Sequence, residues 1–247
     1  MNVDITDLTR RFGRTQAVAG VSLQADAGVF GLLGPNGAGK TSLLRMMATV
    51  LPPTSGRLRL LGRDPGSYAP RREIRRRLGY LPQNLGYYPG FTVAEFVEYF
   101  ALLKEMAPAQ VPAAVAAAIE RTGLADQARA KLRTLSGGML RRAGIAQAIV
   151  NDPDLLLLDE PTAGLDPEQR VAFRALLRDL GQRATVIVST HLVEDVGAAC
   201  VQVALMDAGR IVFHGTPGEL TARGTEQATG DAPLERGYTA VLAAARA

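Results

Sequence analysis

The sequence predicts an α/β protein whose mostly parallel sheet carries helices on both faces. Strand-like and helix-like segments alternate over most of the 247 residues, which is the order that parallel sheets require. The run LLLL at 155–158 is uniformly apolar and is followed by acids, as expected of a strand buried on both faces. A glycine-rich loop at 34–39 joins a strand to a helix. Together these three features predict a sheet that presents a loop to a ligand.

Composition is that of a globular protein, with 47% hydrophobic and 21% charged residues. The net charge of +4 is too small to argue for nucleic acid, and no nucleic-acid partner is expected. The single cysteine, Cys200, rules out an internal disulfide and favours a reducing, cytoplasmic setting. The N-terminus lacks a signal-peptide pattern, and the apolar runs fall short of the ~20 residues that cross a bilayer. Any work at a membrane is therefore expected to go through a partner.

The first elements are strands, because apolar residues alternate with polar ones. Predicted strands lie at 3–8, 18–25, 29–33 and 57–62. Gly34 ends the third strand, and residues 40–50 are predicted to form a helix. The run RREIRRR at 71–77 holds five arginines and is interpreted as the solvated face of a helix.

A helical lobe is predicted to interrupt the α/β chain at approximately 84–150. Thr92 and Glu95 match the T-x-x-E pattern of a capping box, and apolar residues then repeat at helical spacing. An alanine-rich helix is expected at roughly 109–121, closed by Gly123.

The alternation of strands and helices resumes after the lobe. The predicted elements are a strand at 154–160, a helix at 167–181, a strand at 184–190, a helix at 191–200 and a hairpin over 201–215 that turns at Ala208 and Gly209. We interpret residues 1–222 as one domain. Residues 223–247 form a polar, flexible tail in this interpretation, and a short helix is possible over its last 14 residues.

The glycine-rich loop fits the pattern G-x-x-x-x-G-K followed by Ser or Thr. Its glycines at 34, 37 and 39 let backbone N–H groups turn towards phosphates without Cβ clashes. Lys40 is predicted to reach the β- and γ-phosphates, and the Thr41 hydroxyl to ligate Mg²⁺. The helix that follows adds the positive end of its dipole. A chance glycine-rich turn is the weaker interpretation, because a strand precedes the loop and a helix follows it.

The second half of such a site is an acid on a neighbouring strand. Asp159 follows four leucines and fits an Mg²⁺ ligand. Glu160 comes next and is a candidate general base that orients the attacking water. Alone, the pair would more often be a cap or a surface charge.

The stretch LSGGM at 135–139 has the character of a second anion site. Ser136 is placed to cap a helix, and Gly137 and Gly138 leave the N–H groups behind it unobstructed. The chain thus has two candidate phosphate cradles, although an isolated LSGG would more often be a plain helix start.

Six motifs in one order resemble an ABC-type nucleotide-binding domain over about residues 2–220. They are GPNGAGKT, YLPQ, LSGGM, LLLLDE, AGLD and THL. The resemblance implies a P-loop ATPase fold, which has a mostly parallel core sheet, an N-terminal antiparallel β region and an inserted helical lobe. It also implies an ATPase that binds ATP and Mg²⁺.

The resemblance implies why there are two cradles. In that family two cassettes pair head to tail, so the P-loop of one and the LSGG helix of the other close on the same ATP. Ser136, Gly137 and Gly138 would then contact the γ-phosphate held by the partner chain. Met139 departs from the family's familiar glutamine, which puts in doubt a polar role for that side chain.

The remaining roles are implied by the resemblance, position by position. The resemblance implies catalytic roles for Glu160, His191 and Gln83. His191 would contact the γ-phosphate, and Gln83 would sense Mg²⁺ and link to the membrane subunit. Phe12 would stack on adenine, and Asp166 would cross the dimer interface. The implied ATP contacts are Phe12, Gly34, Pro35, Asn36, Gly37, Ala38, Gly39, Lys40, Thr41, Ser42, Ser136, Gly137, Gly138 and Asp166, and the implied Mg²⁺ ligands are Thr41, Gln83 and Asp159.

Structural alternatives stay open at four of these positions. Gln83 is a surface residue in the alternative reading, and His191 a helix cap. Asp166 is an N-cap before a proline, and Phe12 a core residue.

The function implied is the ATPase subunit of an ABC transporter, peripheral at the cytoplasmic face of the membrane. Its partners would be a second nucleotide-binding subunit and polytopic membrane subunits. The segments 84–103 and 140–150 resemble the branch that exports drugs, lipids or polysaccharides. Tyr87, Tyr88 and Phe91 either dock a membrane-subunit helix or pack on the helical lobe.

The alternative function is a soluble ABC ATPase that transports nothing, such as an iron–sulfur assembly ATPase. Chromosome-maintenance members are excluded because the lobe is too short for their coiled coil, and translation-factor members because there is one P-loop. A catalytically dead cassette is disfavoured because Lys40, Asp159, Glu160 and His191 are present.

Overall fold

The computed structural model describes residues 1–225 and 228–247. Glu226 and Gln227, which belong to the predicted polar tail, lie outside the described residues. Within the described part, two sheets are built from nine strands. No helix of that part is long and apolar enough to cross a membrane.

The smaller sheet is antiparallel and N-terminal, as the family resemblance implies. It consists of β1 (Val3–Phe12), β2 (Thr15–Ala25) and β4 (Ser55–Leu60) in the order β2-β1-β4. Strand β1 is longer than the predicted 3–8, because its last residues pair with β2 through a tight hairpin at Gly13, where φ is +56°. The residues TRRF that end β1 are mostly polar, so apolar alternation did not reveal this extension.

The larger sheet is parallel except at one edge. Its strands are β5 (Leu78–Leu81), β6 (Leu155–Asp159), β7 (Thr185–Thr190), β3 (Gly28–Leu33), β8 (Gln202–Asp207) and β9 (Arg210–Gly215), in that spatial order. Only the β8–β9 pair is antiparallel, as the predicted hairpin requires. Because β6, β7 and β3 are parallel neighbours, their C-terminal ends meet at one edge of the sheet.

Helices cover the sheet faces and form the lobe. They are α1 (Lys40–Met47), α2 (Tyr68–Arg76), α3 (Val93–Leu103), α4 (Val111–Arg121), α5 (Gly137–Ile149), α6 (Pro167–Gly181), α7 (Val193–Ala199), α8 (Pro217–Thr221) and α9 (Pro233–Arg246). The capping box before α3 is confirmed, since the Thr92 hydroxyl accepts from Glu95 N and the Glu95 carboxylate accepts from Thr92 N. Helix α1 stops short of the predicted 50, because Thr49 adopts a positive φ of 59°.

The core strand β6 explains the run of leucines. All four of its leucines have 0% exposure, since helices lie over both faces of the sheet at this strand. Leu156 and Leu158 belong to the core shared with the lobe, and Leu155 and Leu157 to the core under β1 and α1. Alternate side chains of one strand therefore enter two different cores, which requires both sets to be apolar.

The arginines of the run at 71–77 do not all face solvent alone, in contrast to the prediction, because several of them form ion pairs with other segments. Arg72 and Arg76 both bind the carboxylate of Glu105, just beyond α3, and Arg77 binds Asp154 at 2.7 Å. These pairs fasten α2 to the lobe and to the start of β6.

The last helix packs onto the body of the domain. Helix α9 contacts α7, α8, β8 and β9. Arg246 forms a bidentate pair with Asp207, at 2.7 and 2.8 Å. A Cβ at Gly237 would lie 2.0 Å from the Leu220 carbonyl oxygen, so glycine lets α9 approach α8 closely.

Candidate active site

The glycine-rich loop adopts a conformation that only glycine accommodates. The φ angles of Gly34, Gly37 and Gly39 are +153°, +81° and +100°. A Cβ at Gly34 would also lie 2.3 Å from the Met206 carbonyl oxygen, and one at Gly39 would lie 2.2 Å from that of Ala17. Helix α1 begins at Lys40 directly behind the loop. Its first N–H groups therefore face the loop, as an anion site requires.

Lys40 lies across the mouth of the loop. It is buried, and Nζ donates to the carbonyl oxygens of Gly34 at 2.6 Å and Pro35 at 3.0 Å. Burial lowers the pKa of Lys40, and the carboxylates of Glu160 and Asp159 oppose that shift. The loop therefore holds a desolvated cation whose attraction to phosphate oxygens is weakly screened.

Asp159 ends strand β6 and is completely buried. Its Oδ1 accepts a hydrogen bond from the Ser189 hydroxyl on β7 at 2.5 Å. Its Oδ2 is buried and has no hydrogen-bond partner within the described part of the chain. Buried carboxylate oxygens are almost always paired, so this oxygen fits a ligand position for a hard cation.

Glu160 follows in a strained conformation. Its φ is +52°, and its N–H donates to the carbonyl and hydroxyl oxygens of Ser189, both at 3.1 Å. A non-glycine residue in this region costs on the order of 1–3 kcal/mol, which the surrounding contacts must offset. The turn aims a carboxylate with 10% side-chain exposure into the loop, where Oε1 is 3.9 Å from Lys40 Nζ.

His191 completes this group from the end of β7. Its Nδ1 lies 2.8 Å from Glu160 Oε2, and its side chain is 50% exposed. The interpretation of His191 as a helix cap is wrong, because α7 has Leu192 as its N-cap and begins at Val193. The Nδ1 edge of the imidazole is thus held by Glu160, while half of the side chain is exposed and accessible to a ligand.

A second ring of contacts, which sequence reasoning missed, supports this geometry. Asp195 is buried, and its carboxylate accepts from Thr162 Oγ1 at 2.8 Å and from Arg174 Nη2 at 2.7 Å. These bonds join the loop after Glu160 to α6 and α7. Thr162, Arg174 and Asp195 belong to no short motif, so spacing offered no signal for them.

Gln83 shares an open cleft with the loop and Glu160. The cleft has a volume of about 250 Å³ and is lined by Ala17, Asn36, Gly37, Ala38, Gly39, Lys40, Thr41, Ser42, Gln83 and Glu160. Gln83 is exposed, as the surface interpretation predicts, and it also lines the cleft, while its catalytic role stays a prediction. Gly34 and Pro35 are not among the residues that line the cleft. Their carbonyl oxygens accept the hydrogen bonds of Lys40, which does line it.

The LSGGM segment lies apart from this cleft. Ser136 is the N-cap of α5, and its hydroxyl accepts from Met139 N at 3.2 Å. Ser136 and Gly137 are exposed, whereas a Cβ at Gly138 would lie 2.9 Å from Gln169 Oε1. Residues 136–138 are absent from the cleft lining, and of the three Ser136 and Gly137 lie at the surface whereas Gly138 is buried. The Met139 side chain packs on the lobe core, which suits an apolar residue there.

Phe12 and Asp166 are both at the surface. Phe12 is 46% exposed, and the Arg10 guanidinium lies 4.6 Å from its ring centroid, so the core interpretation is wrong. The hairpin that carries Phe12 also brings Ala17 to the cleft. Asp166 is the N-cap of α6, where its carboxylate accepts from Gln169 N at 2.8 Å. The N-cap interpretation of Asp166 is confirmed, and its exposure leaves the carboxylate accessible to a second chain.

Comparison with known proteins gives one consistent result. The family model described as ABC transporter matches residues 18–163. The chain is similar to a Burkholderia lata protein named Nod factor export ATP-binding protein I, at 40% identity over 217 residues, 87% of this chain and 71% of the relative. A solved structure of cbiO1 from Clostridium perfringens, described as part of the ABC transporter complex cbiONQ, superposes with a TM-score of 0.78 at 28% identity, covering 89% of this chain and 90% of that one.

A second solved structure shares the fold. The ATP-binding cassette MJ0796, described as a dimer in a post-hydrolysis state bound to ADP and Pi, superposes with a TM-score of 0.79 at 24% identity. The alignment covers 87% of this chain and 98% of that one.

Proposed function

The chain belongs to the ABC transporter family, and we propose that it is the ATP-hydrolysing subunit of an exporter whose membrane-spanning part is a separate polypeptide. The observation that carries the proposal is the position of one carboxylate. Glu160 reaches Lys40 of the phosphate loop with one oxygen and His191, directly after β7, with the other. A base and a cation that belong to different segments are thereby assembled at one cleft.

Each residue then has a role in hydrolysis. The N–H groups of the loop and the start of α1 bind the phosphates, and Lys40 exchanges its carbonyl partners for β- and γ-phosphate oxygens. Glu160 accepts a proton from the attacking water, and His191 orients Glu160 and contacts the γ-phosphate. The supporting geometry is that both side chains converge beside the cleft from β6 and β7.

Mg²⁺ is part of the proposal. Asp159 Oδ2 is the candidate acidic ligand, since it is buried and without a partner in the described residues. Thr41 and Gln83 line the same cleft and supply a hydroxyl and an amide oxygen. When bound, Mg²⁺ neutralises charge on the β- and γ-phosphate oxygens.

A second nucleotide-binding subunit, identical or related, completes each ATP site. Ser136 and Gly137 are exposed at the start of α5 and do not line the cleft of their own chain, so the anion they suit belongs to another molecule. A head-to-tail pair places this surface over the partner's cleft. The dimeric state described for MJ0796 supports such pairing.

A polytopic membrane subunit is the proposed coupled partner. Tyr88 is 58% exposed, and its ring packs against Phe91 in a tilted arrangement and against Tyr99 edge to face, at centroid distances of 5.0 and 6.1 Å. Phe91 also packs on the lobe core, so one edge of the cluster is anchored and the other is free for a helix of the partner. The chain would then lie peripherally at the cytoplasmic face of the membrane.

Export is favoured by the relatives, whose names describe an export ATP-binding protein. The cargo class proposed is a drug, lipid or polysaccharide. The competing candidate is a soluble ABC ATPase, such as an iron–sulfur assembly ATPase, with no membrane partner.

The test is a pull-down of tagged Glu160→Gln chain with Mg-ATP from gently solubilised cells, with Lys40→Ala as the control that lacks the phosphate-binding lysine. A polytopic membrane protein that is retained by Glu160→Gln and reduced with Lys40→Ala supports the transporter. If only soluble partners are recovered, the exporter assignment is wrong and the soluble ATPase replaces it.

A further inference from the structure

One buried arginine joins the two loops that carry the candidate catalytic residues. Arg141 lies in α5 and is 7% exposed. Among the described residues its guanidinium donates only to backbone carbonyl oxygens, and it does so with all three nitrogens. The acceptors are those of Pro82 at 2.9 Å, Gln83 at 3.1 Å, Glu160 at 2.7 Å, Pro161 at 3.4 Å and Asp159.

These acceptors belong to two segments that are far apart in the sequence. Pro82 and Gln83 follow β5, whereas Asp159 ends β6 and Glu160 and Pro161 directly follow it. Parallel pairing of β5 with β6 brings the two strand ends side by side, and the guanidinium lies where they diverge. The planar fork of five donors matches this set of acceptors, and the single ammonium of a lysine does not.

The charges around Arg141 explain how the protein tolerates it. Burial lowers the pKa of Arg141, while the carboxylates of Asp159 and Glu160 oppose that shift. The carbonyl oxygens supply the hydrogen bonds that water would otherwise make. The arginine therefore fixes the backbone of both acids while leaving their carboxylates free for other contacts.

The same helix presents the LSGG segment. Ser136 caps α5, and Arg141 follows five residues later, which is a little over one helical turn. A short rigid length of helix thus separates the surface offered to the partner chain from the loops that hold this chain's own Gln83 and Glu160.

We propose that Arg141 is a positioning residue for ATP hydrolysis, which holds the Gln83 and Glu160 backbones in register with the helix that contacts the partner's nucleotide. The proposal rests on the ATPase function proposed above. When the dimer closes and the partner's ATP contacts Ser136, α5 would move. The hydrogen bonds of the guanidinium would then shift the backbone of Glu160 with it. Arg141 touches neither nucleotide nor water in this role, since it acts through two backbone segments.

The adjacent arginine provides a matched control. Arg142 also donates to carbonyl oxygens, those of Thr122 at 3.4 Å and Gly123 at 2.9 Å, at the end of α4. Arg142 therefore lies in the same helix and makes the same kind of hydrogen bond, and its hydrogen bonds within the described part of the chain reach neither catalytic loop.

The test compares steady-state ATP hydrolysis by Arg141→Gln, Arg141→Lys and Arg142→Gln. We expect kcat of Arg141→Gln to fall about 10- to 100-fold, the usual effect of a misplaced catalytic group, with KM for ATP nearly unchanged because the phosphate loop is intact. Arg141→Lys should remain well below wild type, and Arg142→Gln should match wild type. A wild-type kcat in Arg141→Gln, or an equal loss in Arg142→Gln, would overturn the proposal.

A double-mutant cycle separates positioning from general destabilisation. If Arg141 acts through Glu160, Arg141→Gln should reduce the single-turnover rate far less in the Glu160→Gln background than in wild type. If the rate loss of the double variant equals the product of the losses of Arg141→Gln and Glu160→Gln, the proposal is contradicted. Should Arg141→Gln not fold, as judged by circular dichroism and nucleotide binding, the same cycle is run with Arg141→Lys. Wild-type turnover by Glu160→Gln itself would instead count against the proposed function, so the two failures are distinguishable.

Discussion

Nδ1 of His191 lies 2.8 Å from Oε2 of Glu160, at the ends of the neighbouring parallel strands β7 and β6. The other oxygen of the same carboxylate lies 3.9 Å from Nζ of Lys40. Glu160 is thus the point at which the phosphate loop and the two strand ends meet. Substitutions at each of these positions should therefore differ in their effects on ATP binding and on turnover.

Glu160→Gln should retain ATP binding and lose turnover about 10²–10⁴-fold, because the amide keeps the size of the side chain but cannot act as a general base. Hydrolysis of radiolabelled ATP and gel filtration with Mg-ATP would measure turnover and the expected trapped dimer. Turnover equal to wild type would remove Glu160 from the mechanism.

His191→Ala should reduce kcat about 10- to 100-fold, since loss of a hydrogen bond to a charged group amounts to roughly 1.5–3 kcal/mol. The control is His214→Ala, because His214 is exposed on β9 and is not among the residues that line the cleft. Steady-state assays of both variants should show a loss only in the first. Equal activities would show that the contact with Glu160 is dispensable.

Chains that carry Ser136→Arg should complement chains that carry Lys40→Ala. The arginine obstructs the exposed start of α5, while Lys40→Ala disables the phosphate loop. An equal mixture contains dimers in which one intact loop faces one intact LSGG surface. ATPase activity in the mixture, against little in either variant alone, is the expected result. A mixture no more active than its components would argue against a site shared between chains.

Phe12→Ala should weaken ATP binding about 5- to 100-fold, because stacking of a base on an aromatic ring contributes about 1–3 kcal/mol. Phe12→Tyr keeps the ring face and should bind ATP normally. Tyr68→Ala is the surface control, since Tyr68 is 73% exposed on α2. Fluorescence titration with a labelled ATP would measure the affinities. Unchanged affinity of Phe12→Ala would exclude it from the adenine site.

Lys104 should give the fold a measurable pH dependence. Burial lowers the pKa of Lys104 to about 8, and its Nζ donates to the carbonyl oxygens of Arg75 and Leu78. Between pH 8 and 10.5 the unfolded chain holds a proton that the folded chain has released, so stability contributed by this position rises with pH.

Relative to Lys104→Met, the free energy of unfolding of the wild type should therefore increase by about 2 kcal/mol from pH 7 to pH 9.5. Urea denaturation at the two pH values measures this difference. Lys131→Met is the control, because Lys131 is at the surface beside Glu95. A difference that does not change with pH would show that Lys104 keeps its proton in the folded state.

Local patterns predicted those parts of the site that depend on neighbouring residues. The positive φ angles of the loop glycines, the capping box at Thr92 and the acid at the end of β6 each follow from a few consecutive residues. Strand β5 has only four residues and follows a run of arginines, so periodicity was too short to reveal it.

The sequence by itself determined the fold class, the order of elements and the chemical types at the cleft, because backbone preferences and apolar periodicity act over short distances. Only the tertiary structure decided which of those side chains meet. Parallel pairing of β6 with β7 brings Glu160 to His191, and pairing of β5 with β6 creates the gap that Arg141 fills. Both contacts join residues that are 18 or more positions apart along the chain, and such contacts depend on strand order rather than on spacing.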